Sequence, residues 1–417
     1  MKKRLLFIAA TIMVLTLLLT ACGDNSESSE ASSDDELVLR MGSWRSDDVE
    51  QMTAYLAEYS RLNPGVSIRF EAINPQDFNS VIRLQLENGT APDIIYSRSF
   101  ATGRELFESG FFADISDLPG LQENFTDSNR APWTASDGTT FAVPFIAVSH
   151  GVYYNRDIFA EHNLSVPNTW DEFIAVCRVL LDNGVTPLAN GTGEEWDILE
   201  TLFSAMIVNY VGGADQRVLY ERGERRLNDE NFVAAFTDLS QLSEFLPNGF
   251  EAVTYNDSQV LFSLGSAAMF VDGSWSLSVY DDVPFDWGVF AVPARVASDT
   301  AICFQSDVGM AMNAATEHPD EVRAFLEWIA TQEGADAGAR YLPTGFFSMS
   351  NFEVTLESPQ ANEFLALNEG RVTDSRFMWS ELIDLYTPMN QAVIAVLRGT
   401  LTPQEAADSL AAAFDAR

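Results

Sequence analysis

Two hydrophobic periods alternate along the first stretch that has the composition of a folded domain. In ELVLRMGSW (36–44) an apolar run ends in a polar loop, which marks a short strand. In DDVEQMTAYLAEYSRL (47–62) Val49, Met52, Leu56 and Tyr59 recur at helical spacing, and Asn63-Pro64-Gly65 stops the helix. VSIRFEA (66–72) switches to a period of two through Val66, Ile68 and Phe70. FNSVIRLQLENG (78–89) returns to helical spacing and stops at Gly89, and PDIIY (92–96) reads as a buried strand. The order strand, helix, strand, helix, strand predicts a parallel sheet with helices on its faces. Ligands of such sheets sit beyond the carboxyl ends of the strands. Here those ends carry Ser43, Trp44 and Arg45, and Ser97, Arg98 and Ser99.

Farther along, HPDEVRAFLEWIATQEGA (318–335) predicts a helix, with Pro319 in its first turn and Val322, Phe325, Leu326 and Ile329 on one face. TPQEAADSLAAAF (402–414) opens on a capping box, Thr402 with Glu405, and has Pro403 at the first helical position. Thr169 and Glu172 repeat the capping spacing in TWDEF, and Asn155 and Asp157 in YNRDIF shape a turn into a helix. These polar residues are read as structural.

The amino terminus follows a different logic. Lys2, Lys3 and Arg4 precede an uncharged apolar run, Leu5 to Thr20. That is the layout of a secretory signal, and the run is short for a membrane span. Leu19-Thr20-Ala21-Cys22 resembles the bacterial lipobox, which implies cleavage before Cys22 and lipid on its thiol. Residues 22–35, rich in Ser, Glu and Asp, read as a disordered tether that cannot bury enough apolar area to offset its ordering entropy. The remainder is long enough for two domains, and hydrophobic residues make up 47% of the whole chain.

Charge narrows the partners. The formal net charge is −37; residues 1–21 hold three basic and no acidic side chains, leaving −40 for the rest. Such a field repels phosphate backbones, so nucleic acid is not an expected partner. Lys2 and Lys3 are the only lysines, and every later cation apart from histidine is arginine. A host in alkaline or saline surroundings and a genome biased toward arginine codons both account for that. Cys177 and Cys303 read as buried free thiols, and the lack of a CxxC pair leaves a structural zinc site without support.

Five segments in order, NGTAPDII (88–95), YYNRDIF (153–159), VPNTWDEF (166–173), AAMFVDGSW (267–275) and RGTLTPQEAADSL (398–410), carry a resemblance. Together they resemble the extracellular solute-binding proteins of ATP-driven (ABC) importers, in the carbohydrate group that includes maltose-binding proteins. The resemblance implies an α/β fold of two lobes joined by crossing strands, each lobe a mostly parallel sheet flanked by helices. It implies lobe one as 36–149 plus 307–343 and lobe two as 150–306 plus 344–417. It further implies closure on a mono- or oligosaccharide, delivery to permease subunits, a monomer without cofactor or metal, and attachment to the outer face of a bacterial membrane through Cys22.

A sugar presents C–H faces and a rim of hydroxyls, which call for aromatic surfaces and for carboxylates, amides or guanidiniums. Trp44, Trp196 and Trp275 are the candidate surfaces. Arg45, Ser97, Arg98, Ser149, His150, Glu195, Asp272 and Asp307 are the candidate polar contacts, and the resemblance of SRFMWSELI (375–383) adds Arg376 and Trp379. The rival expectations are an anchored glycoside hydrolase using two carboxylates, and a sugar-sensing receptor without transport. Among 61 acidic residues some pair at a hydrolase spacing is assured, so that spacing decides nothing. No GxSxG, HExxH, P-loop or dinucleotide-binding glycine pattern is present.

Overall fold

The computed structural model describes residues 37–417, with the backbone alone for Pro75, Gln76, Glu195, Trp196 and Trp379. The expected signal, lipid-bearing cysteine and tether therefore lie outside the described residues. Ten strands form the sheet system: β1 (Leu37–Ser43), β2 (Val66–Ala72), β3 (Ile94–Ser97), β4 (Val143–Asn155), β5 (Thr186–Leu188), β6 (Ala267–Gly273), β7 (Trp287–Phe290), β8 (Ile302–Met312), β9 (Phe347–Ser348) and β10 (Thr373–Asp374).

The order along the sheet is β2-β1-β3-β8-β4-β6-β5. β1 lies between β2 and β3 and is parallel to both, with Met41 opposite Phe70 and Ile94. β8 then runs antiparallel to β3 and to the first half of β4, which makes the sheet mixed. The second half of β4 pairs antiparallel with β6 and β7, and β6 is parallel to β5. β4 and β8 are thus the two long strands that pass from one half of the molecule to the other.

Each half has its own core. One gathers β1 to β3, residues 143–148 of β4 and 308–312 of β8, with the helix Val49–Leu62 and the helix Pro319–Ile329 against them. The other gathers Val152, Met269, Val271 and Phe290 with the helices Trp170–Asp182, Glu230–Ser240, Tyr386–Leu397 and Pro403–Asp415. A smaller aromatic cluster around Tyr153, Phe262, Tyr280 and Phe364 backs β6 and β7. Among the described residues, no helix is long and apolar enough to cross a membrane.

Local sequence explains most of these boundaries. In Val49–Leu62 the buried stripe is Met52, Tyr55, Leu56 and Tyr59; Val49, expected on that face, is 44% exposed because it sits at the first turn, ahead of the packed surface. Thr402 and Glu405 make the reciprocal capping box, and Thr169 accepts from the Glu172 amide. Asn155 accepts from the Ile158 amide, so it caps the helix Arg156–Glu161 as expected.

The single helix expected over 318–335 is two, Pro319–Ile329 and Gln332–Tyr341. Thr331 breaks it: its hydroxyl donates to the Trp328 carbonyl and accepts from the Gly334 amide, which starts a new helix. Gly334 suits that junction because a Cβ there would lie 2.2 Å from the Trp328 carbonyl oxygen. Cys177 and Cys303 are buried and free.

Candidate functional site

The polar residues at the ends of β1 and β3 meet those of β4 and β8 where the two long strands cross between the halves. After β1, Trp44 turns into the first core, edge-on to Phe78 and Tyr96 with both ring centroids 5.3 Å away. After β3, the Arg98 guanidinium lies 3.7 Å above the Trp44 ring. Burial pushes Arg98 down to about 10, opposed by attraction to Asp307. Arg45 pairs with Asp48 and lies over Phe346. The fully buried Trp133 supports this loop by donating to the Ser97 carbonyl (3.3 Å). Gly309 of β8 makes room for it, since a Cβ there would come 2.5 Å from the indole nitrogen.

The second group forms around Arg376, which follows β10. Its guanidinium is 3.3 Å from Glu200 and 3.8 Å from Asp307, and lies 4.9 Å from the Trp275 ring centre. His150 of β4 meets the same indole edge-on at 5.1 Å, and its Nε2 is 3.3 Å from Arg376 Nε. Burial, reinforced by that neighbouring cation, pushes the imidazole down to about 3, so it is uncharged at neutral pH.

Trp275 owes its position to Gly273: a Cβ there would lie 1.9 Å from the ring. Its Nε1 donates to the Tyr255 hydroxyl (2.8 Å), which in turn donates to Asp272 (3.0 Å). Burial raises Asp272 to about 8.

Gln305 of β8 joins the two groups. Its amide oxygen accepts from the Arg376 backbone (2.9 Å) and its amide nitrogen donates to the Ser99 hydroxyl (3.0 Å). The halves also touch farther out, through an Arg104–Glu381 ion pair and through Arg217 over the Phe100 ring.

Of the residues singled out from sequence, Trp275, His150, Arg376 and Asp307 thus stand together, as do Trp44, Arg98 and Ser97. Asp272 lies one bond further back, behind Tyr255. Ser149 is buried, with its backbone amide on the Ser274 hydroxyl. Arg45 is committed to Asp48. The side chains of Glu195, Trp196 and Trp379 lie outside the described residues.

Sequence reasoning missed Glu200, Tyr255 and Gln305. Glu200 carried a signal: it is an acid set among Leu199, Leu202 and Phe203, and it is 1% exposed. Among the described residues, no group of three or more His, Cys, Asp or Glu could hold a metal ion. The arrangement offers donors, acceptors and aromatic edges to a neutral polar molecule.

Known proteins share this chain's family and fold. The family model for bacterial extracellular solute-binding proteins matches residues 43–336. The chain is 24% identical to a multiple sugar-binding protein of Streptococcus mutans, over 76% of each chain. It is 22% identical to the diacetylchitobiose binding protein of Streptomyces coelicolor, over 100% of this chain and 99% of that one. Among solved structures, the raffinose complex of RafE superposes with a TM-score of 0.77 at 20% identity, covering 91% of this chain and 99% of the other. The GacH receptor of Streptomyces glaucescens gives 0.76 at 18% identity, covering 91% and 97%. These likenesses establish the two-lobed α/β fold.

Proposed function

The chain belongs to the bacterial extracellular solute-binding protein family, and from that premise we propose that it captures a carbohydrate between its two lobes and hands it to an ABC importer. The observation that carries this reading is the meeting of Trp275, Arg376, His150 and Asp307 with Trp44 and Arg98 at the crossing strands. Sugar hydroxyls accept from the guanidiniums of Arg98 and Arg376 and donate to Asp307, while the buried Glu200 holds Arg376 from behind. The indole edges and faces supply the apolar surface for ring C–H groups. With His150 uncharged, the two carboxylates balance the two guanidiniums, which suits a neutral ligand.

Lobe one is 36–149 plus 307–343 and lobe two is 150–306 plus 344–417, and they close about β4 and β8. Cys22 carries lipid, which holds a monomeric receptor at the outer face of the membrane. The protein binds its cargo without altering it.

Thermal unfolding against a panel of neutral mono- and oligosaccharides tests the reading. A ligand at a hundred times its dissociation constant stabilises by about 2.7 kcal/mol. A raised midpoint with intact sugar recovered is the expected result. A flat panel removes carbohydrate as the cargo, and recovered cleavage products replace the binding protein with an enzyme.

A further inference from the structure

His150 of β4 stands where β8 and β10 come alongside. Its Nδ1 is 3.1 Å from the main-chain carbonyl oxygen of Cys303 on β8, and Cys303 is paired with Asp374 of β10, just before Arg376. Its Nε2 is 3.0 Å from the Glu200 carbonyl oxygen and 3.3 Å from Arg376 Nε. Glu200 belongs to a π-helical turn, Leu199–Phe203, a rare distortion that occurs frequently at functional sites. From that turn one residue meets the imidazole with its carbonyl and Arg376 with its carboxylate.

These partners fix where the imidazole carries its hydrogen. A carbonyl oxygen only accepts, so Nδ1 is protonated and donates to Cys303. Nε2 faces both a carbonyl, which calls for a second hydrogen, and an arginine N–H, which calls for a lone pair. A second hydrogen would create a buried cation against the Arg376 cation. Burial, then the repulsion of Arg376, pushes the imidazole down to about 3, so Nε2 keeps its lone pair and accepts from Arg376. The other neutral tautomer would set a lone pair against the Cys303 carbonyl and an N–H against the arginine N–H.

Arg376 is thereby gripped by one edge. Its Nε faces His150 and the Glu200 carboxylate, each at 3.3 Å. Its Nη1 turns toward Asp307 at 3.8 Å, and the Asp307 side chain is 13% exposed against 1% for Glu200, so this edge is the outer one. Its guanidinium lies over the Trp275 ring, which His150 meets edge-on. We propose that His150 is a positioning residue: as a neutral acceptor it fixes the roll of Arg376 about its Nε edge, so that the outer edge of the guanidinium is presented to a saccharide hydroxyl beside Trp275. This rests on the carbohydrate reading of the central site.

Two measurements test it. The chain has three histidines, so isotopic labelling of histidine nitrogen lets NMR resolve each imidazole, and the signal lost in a His150 variant assigns His150. His150 should show a protonated Nδ1 and a bare Nε2, and should not titrate between about pH 5 and 8, where an unperturbed histidine changes charge. The second measurement is isothermal titration of the full protein with D-glucose, D-galactose, D-xylose, maltose, cellobiose and raffinose. His150→Gln keeps an acceptor for Arg376 and an amide hydrogen for the Glu200 carbonyl, whereas His150→Leu keeps the bulk and loses both. For a saccharide that binds the unmodified protein, His150→Leu should weaken affinity about tenfold or more, and His150→Gln should stay within about threefold.

A hydrogen on Nε2, or titration within that span, overturns the proposal. So does equal weakening by the two variants, or a His150→Leu protein that binds as the unmodified one does, since the imidazole then only fills space. If His150→Leu fails to fold, the tautomer and His150→Gln decide, and a folded His150→Gln protein that loses binding overturns it. If the unmodified protein binds no saccharide, the carbohydrate reading falls and takes the positioning role with it, whichever tautomer is found.

Discussion

Trp44 and Trp275 each lie under a guanidinium, and different forces hold them there. Trp44 is packed within one half, its edges against Phe78 and Tyr96, and it is 4% exposed. Trp275 follows β6 of the other half, yet its ring packs against the first core. It is tied down by Tyr255 and His150 and sits in a charge cluster with Arg376. The first arrangement depends on dispersion and burial, which act within one lobe whatever the other is doing. The second depends on hydrogen bonds and charges drawn from β4, β6, β8 and the segment after β10. It exists only when those elements are together, and this is what a receptor that must register closure needs.

Removing Arg376 should break the comparison most severely. Arg376→Ala leaves Glu200 and Asp307 without their cation in a buried cluster, and a stability loss of about 3–5 kcal/mol in urea unfolding is expected, together with loss of sugar binding. Trp44→Ala should cost about 3 kcal/mol by opening a cavity in its aromatic setting, while Trp275→Ala should abolish the ligand-induced thermal shift at a smaller cost in stability. If the two substitutions instead behave alike, the distinction between a core indole and a closure indole is wrong. Tyr255→Phe frees the Trp275 N–H and the Asp272 carboxyl together, and about 1 kcal/mol of stability should go with the hydroxyl.

The same contrast can be read through pH. Burial raises Asp272 from its ordinary range to about 8, so the folded protein holds a proton there that the unfolded chain releases near pH 4. Its contribution is therefore full below about pH 4 and is lost as pH rises toward 8, by at most about 1.4 kcal/mol per pH unit. Asp272→Asn should remove that decline. Urea midpoints for the two proteins should converge toward high pH if Asn is the weaker partner at low pH, and in either case their difference should stop changing above about pH 8.

Much of the architecture was legible because it is written locally. The capping box at Thr402, the cap at Asn155 and the alternation in β2 each need only a few neighbouring residues. The strand-end loops of the first half were legible for a related reason: β1 and β3 stop where polar residues begin, so Trp44 and Arg98 announce themselves. Glu200, Tyr255 and Gln305 were not, because nothing near them in sequence says which distant partner they meet. Gln305 takes its meaning from Ser99 and Arg376, 206 and 71 residues away. The helix break at Thr331 was missed because threonine is tolerated inside helices, and only its bond to the Trp328 carbonyl turns it into a cap.

The path of β8 has a consequence for how the molecule comes into being. Ile94 of β3 pairs with Met312, and Val143 of β4 pairs with Met310, so the first half lacks a central strand of its own sheet until about three-quarters of the chain has been synthesised. The intervening residues, which build most of the other half, must exist before either half is finished. Contacts of such long range slow folding, because loop closure costs entropy before pairing repays it. The two halves therefore complete their sheets together, late in synthesis.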